Sequence, residues 1–145
     1  MKIIVDTNIV FSAILNSDNN IGDLIISSEN QLQLYSSDYL RFELNKHHQK
    51  LKKISKLSDY EIQESKYRIL KNIHFINIEL IPEPIWLGAE DIVRDIDIDD
   101  IDFVALTIFL NAYLWTGDKF LYNGLKKKGF MRVNNTSELW NKEKK

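Results

Sequence analysis

Apolar and polar positions along the chain alternate between two periods. Lys2 to Val5 is a short apolar run that stops at Asp6, the pattern of a buried strand. Asn8 to Leu15 places Ile9, Val10, Ala13 and Ile14 at helical spacing, with Asp6 or Thr7 available as a cap. Ile21 to Ser28 predicts a second short helix, and Leu32 to Tyr35 alternates like a strand. One longer helix is predicted over Asp38 to Leu51, with Leu40, Leu44 and Leu51 on its apolar side. Another is predicted over Ser58 to Ile73, opened by a capping box of Ser58 and Glu61. Phe75 to Leu80 alternates again and predicts a third strand. Pro82 and Pro84 open a helix running to Arg94. After an acidic loop come an apolar helix at Phe103 to Leu110 and a strand at Tyr113 to Thr116. A helix from Lys119 to Lys128, closed by Gly129, precedes a short strand at Phe130 to Val133 and a last helix at Thr136 to Trp140. Strands alternating with helices predict an α/β fold, a parallel sheet covered on both faces.

At 145 residues the chain fits one domain, expected over 1–145 with residues 141–145 as a frayed tail. A hydrophobic content of 44% supports a packed core. The absence of cysteine excludes disulfides, thiolate metal sites and a cysteine nucleophile. No apolar run approaches the roughly 20 residues of a membrane span, so the expectation is a cytoplasmic protein without membrane association. The net charge of −2 gives no general affinity for nucleic acid. Its distribution is uneven, however. Residues 46–56 hold five lysines, whereas residues 90–102 hold seven acids against one arginine.

In open α/β sheets, ligands bind beyond the carboxyl ends of the strands. Asp6 ends the first predicted strand, Asp118 follows the fourth, and the acidic loop enters a helix near Asp100. If the first and fourth strands are neighbours, these acids meet. Clustered carboxylates are costly to ionise without a cation, and an all-oxygen site suits Mg²⁺ or Mn²⁺. Phosphodiester hydrolysis is the chemistry such a site performs. Plainer readings exist for each residue. Asp6 and Asp118 serve equally as helix caps, a lone helical Glu43 is ordinarily a solvated residue, and the lysines form a solvated face. Next to an acidic cleft, though, Lys46, Lys50, Lys52 and Lys53 could hold an RNA backbone.

Four segments resemble the motifs of PIN domains. Ile3-Ile4-Val5-Asp6-Thr7-Asn8 is similar to the first motif and Arg41-Phe42-Glu43-Leu44 to the second. Asp97 to Leu106 resembles the third motif of the toxin-like bacterial and archaeal branch, and Leu114 to Lys119 the fourth. The resemblance implies a three-layer α/β/α fold around a five-stranded parallel sheet. It implies Mg²⁺- or Mn²⁺-dependent cleavage of single-stranded or structured RNA, with metal-ligand roles for Asp6, Glu43, Asp100 and Asp118 and secondary oxygens from Asn8 and Thr116. Asp97 is the alternative to Asp100, with Asp99 and Asp102 also within the motif. Many small PIN proteins resemble toxins of type II pairs, which implies a small antitoxin and a homodimer. Two rivals stand beside this reading. An α/β phosphatase with an aspartyl nucleophile needs a second aspartate where Asn8 stands. A non-catalytic RNA- or protein-binding module on the same fold is the other.

Overall fold

In a computed structural model that describes residues 1–16, 18–27 and 31–143, five strands form one sheet. They are β1 (Lys2–Val5), β2 (Gln33–Ser37), β3 (Ile73–Ile76), β4 (Tyr113–Trp115) and β5 (Val133–Asn134), in the order β3-β2-β1-β4-β5 and parallel throughout. The helices between them are α1 (Thr7–Leu15), α2 (Asn20–Ile26), α3 (Tyr39–Lys46), α4 (His48–Ser55), α5 (Asp59–Leu70), α6 (Glu83–Val93), α7 (Ile101–Phe109), α8 (Lys119–Lys127) and α9 (Thr136–Glu143).

The two-residue period of a strand sends successive side chains to opposite faces, and β1 shows the consequence. Ile3 and Val5 join a core with Ile9, Val10, Leu44, Leu51, Ile62 and Leu139. Ile4 joins a second core with Ala89, Val104, Leu106, Leu121 and Leu125. β4 divides likewise, Trp115 to the first core and Leu114 to the second. Helices therefore cover both faces, and the fold is a three-layer α/β/α sandwich. β1, buried on both sides, sits at the centre with β2 on one edge and β4 on the other. The chain reverses its direction of winding between β1 and β4, which opens a crevice at their carboxyl ends. Among the described residues no helix is long and apolar enough to cross a membrane.

Several elements depart from the pattern-based expectation. The helix predicted over Asp38 to Leu51 is two helices, broken at His47, whose φ of −102° and ψ of 18° leave the helical region. Leu44 and Leu51 lie seven residues apart and would share a face of an unbroken helix, so periodicity is blind to the break. α5 begins with the Ser58–Glu61 capping box but ends at Leu70, and Ile73 opens β3 instead. β3 pairs with β2 over Ile73–Ile76, so the strand starts before Phe75 and gives way to a short 3-10 turn at Ile78–Leu80. β5 lies at Val133–Asn134, not at Phe130–Val133, because its register is set by β4, with Leu114 N–H donating to Arg132 and Thr116 N–H to Asn134. The final helix runs on to Glu143. Ser28 of the second predicted helix and Lys144–Lys145 of the tail lie outside the described residues.

Candidate active site

Asp6 leaves β1 at the crevice and caps α1. Its backbone N–H donates to Trp115 O on β4, which fixes where the carboxylate emerges. Its Oδ1 accepts from Asn8 N–H at 3.1 Å, and its Oδ2 accepts the Thr116 hydroxyl at 2.6 Å. At 3% exposure the group is nearly removed from water. Burial pushes its pKa up, the Thr116 and Asn8 hydrogen bonds counteract part of that, and the charge of Asp118 adds to it. Thr116 also accepts the Asp118 N–H at 3.1 Å, so one hydroxyl ties together the ends of β1 and β4. Asp118 caps α8, its Oδ1 accepting from Phe120 N–H and Leu121 N–H at 2.9 and 3.2 Å. For both aspartates the capping role is therefore present, and a cap occupies the same sheet edge that a ligand would.

The acidic loop is a 3-10 turn, Ile98–Asp100, leading into α7. Asp97 is exposed and caps the turn, accepting from Asp99 N–H at 3.0 Å. Asp100 is half-buried and faces the other acids. Its Oδ2 is buried without a hydrogen-bond partner among the described residues. Burial, then the charges of Asp6, Asp97, Asp118 and Asp99, push its pKa up to about 7. Such an orphaned carboxylate oxygen is costly and demands an explanation.

Glu43 comes from α3, carried over the crevice after β2. With Asp6, Asn8, Asp99, Asp100 and Asp102 it lines a cleft of about 230 Å³. Asp118 lines an adjoining recess with Thr116 and Tyr122, and reaches the cleft through its charge on Asp6 and Asp100. Among the described residues no three acidic or histidine side chains stand close enough to hold an ion as they lie. The basic residues Lys46, Lys50 and Lys53 are exposed on α3 and α4, while Lys52 pairs with Asp59 at 3.2 Å, and none of the four lines the cleft.

Sequence reasoning passed over two cleft residues, Ser37 and Tyr39. Ser37 lies at the end of β2, where a strand-end hydroxyl was the available signal. Tyr39, exposed at the rim, lines the cleft beside Glu43, whose charge pushes the phenol's pKa up. Asp102, an alternative to Asp100 by sequence, lines the cleft together with it, and burial raises its pKa.

The donors are all oxygen, the set that suits a hard dication. The chain matches the family profile of the PIN domain over residues 4–142. No curated protein matches it. Among solved structures it is similar to VapBC2 from Rickettsia felis, determined bound to a DNA fragment from the promoter of that pair. The two share 16% identity with a TM-score of 0.68, over 93% of this chain and 98% of the other.

Proposed function

Because the chain belongs to the PIN-domain family, whose members are in general nucleases using divalent metal ions, we propose that it is a Mg²⁺- or Mn²⁺-dependent endoribonuclease. The observation that carries this reading is the half-buried Asp100 carboxylate, one oxygen of which is buried and unpartnered among the described residues, and which Asp6 and Asp118 repel. A cation relieves both penalties at once. Asp6, Glu43, Asp100 and Asp118 are the proposed ligands, with Asn8, Asp97 and Thr116 as secondary donors. When bound, the ion supplies positive charge that activates water for attack and stabilises the phosphate in the transition state.

The chain's own residues prepare for that chemistry. Thr116 restrains Asp6 through a 2.6 Å hydrogen bond. The amides at the start of α8 restrain Asp118. Such preorganisation avoids reorganising the site during reaction. The resemblance to VapBC2 supports a further assignment, the toxin of a type II pair held inactive by a small antitoxin.

Incubating the purified chain with labelled RNA tests the reading. Cleavage is expected with Mn²⁺, none with EDTA, and none by Asp6→Asn or Asp100→Asn. Cleavage that survives chelation or both substitutions refutes it. A non-catalytic binding module is the second reading, favoured by the absence of a three-residue ion-holding group among the described residues. RNA bound but uncut in Mn²⁺ would support that alternative.

A further inference from the structure

Helix α3 separates two recesses of opposite character. Tyr39 and Glu43, one turn apart, face the acidic cleft. Arg41 and Asn45, also one turn apart, line a cavity of about 410 Å³ on the other side, walled by Lys66, Tyr67 and Lys71 of α5 and its end. Along the crest between them lie two aromatic rings. Phe42 is 58% exposed and Tyr39 is 48% exposed, and the rings stack with centroids 5.4 Å apart and planes 30° apart.

Two of the three cations of the far recess sit on rings, while Lys66 Nζ lies 3.1 Å from His48 Nδ1. The Arg41 guanidinium lies 4.1 Å from the Phe75 ring centroid, and the Lys71 ammonium 5.5 Å from that of Tyr67. Among the described residues neither has a carboxylate at ion-pair distance. A guanidinium and an ammonium so held keep their hydrogen-bond donors for an anion. The acidic cleft repels a polyphosphate backbone, so a substrate must be drawn in by charge nearby. The basic recess supplies that charge one helix width away, about 10 Å.

Building on the nuclease reading, we propose that α3 is a saddle for single-stranded RNA. An unpaired base stacks on the Tyr39–Phe42 pair at the mouth of the cleft, and the neighbouring backbone runs over the crest to Arg41 and Lys71. Stacking on an exposed ring needs a free base face, which a paired duplex does not offer. It also tolerates any base, so the platform selects for single-strandedness over sequence.

The test uses the full chain in EDTA, where no cleavage is expected, and a short single-stranded RNA carrying 2-aminopurine. Binding is followed by anisotropy and stacking by quenching of the fluorescent base. Phe42→Leu keeps the apolar bulk and removes the ring. It is expected to weaken binding roughly tenfold and to abolish the quench. Tyr39→Phe keeps its ring and should retain both. Lys71→Gln should lower the slope of log affinity against log salt by about one. A perfect duplex of the same sequence should be indifferent to Phe42→Leu.

Wild-type affinity and quench in Phe42→Leu overturn the saddle, as does a wild-type chain that binds no single-stranded RNA. So does a dimer that sedimentation shows dissociating in Phe42→Leu while RNA affinity stays unchanged, since the pair would then belong to a second copy of the chain. Failure of the two readings is separable. Equal KM for Mn²⁺-dependent cleavage by wild type and Phe42→Leu removes the saddle and leaves the nuclease. Quenched, Phe42-dependent binding with no cleavage in Mn²⁺ leaves the saddle and removes the nuclease.

Discussion

Replacing Asp100 by Asn should make the metal-free protein more stable, and more so as the pH rises. The folded-state pKa of Asp100 is about 7 against the usual 3.8. A tenfold change in proton affinity is worth about 1.4 kcal/mol, so ionising this group in the fold costs on the order of 4 kcal/mol without solvent. Asp100 is only half-buried, and screening leaves about 2 kcal/mol. The sign follows from proton counting. Between pH 4 and 7 the folded state holds a proton that the unfolded chain has released, so stability falls as pH rises through that window. Below it the penalty is absent, and above it complete. Asn cannot ionise, so Asp100→Asn escapes the loss. Thermal unfolding in EDTA should give nearly equal Tm values at pH 4, and a variant ahead by about 6 °C at pH 8, taking about 3 °C per kcal/mol for this length. Mn²⁺ should then raise the Tm of wild type and not that of the variant. A Tm difference that does not change with pH would refute the electrostatic account of Asp100. An Mn²⁺ response equal in both proteins would refute its role as a ligand.

Other expectations follow from the same structure. Thr116→Val removes the hydroxyl shared by Asp6 and Asp118. It should cost about 1–3 kcal/mol in urea unfolding and depress cleavage beyond any loss of folded protein. Ser58→Ala breaks the capping box of α5 and should cost about 1 kcal/mol by the same assay, with cleavage unchanged. Gly129 ends α8 with φ of +84°, where an L side chain is strained, so Gly129→Ala should destabilise by about 1 kcal/mol and lower the Tm. Neutralising Lys50, Lys52 and Lys53 together should weaken RNA binding and flatten its salt dependence while leaving Mn²⁺ affinity unchanged, as titration of the metal would show.

Much of this molecule is written in short stretches of chain. The apolar run ending at Asp6, the Ser58–Glu61 box, the prolines that open α6 and the glycine that closes α8 are local signals, each settled by groups within a few residues. So is the order of the four acidic segments, which resembles that of the family. Tertiary pairing decided the rest. Neither glycine nor proline marks the break at His47, and the ends of β3 and β5 follow from the strands beside them. The run from Asp95 to Asp102 places Asp100 at the helix start ahead of Asp97, but it does not show that Asp97 stays an exposed cap while Asp100 buries an oxygen unpartnered among the described residues. That difference arises only when α7 packs against the sheet and turns one carboxylate toward Asp6. The Thr116–Asp6 hydrogen bond joins residues 110 positions apart. The reason is one of range. Caps and side-chain periods act over a turn or two of chain, whereas the field at a carboxylate is set by whatever the parallel pairing of β1 and β4 brings beside it.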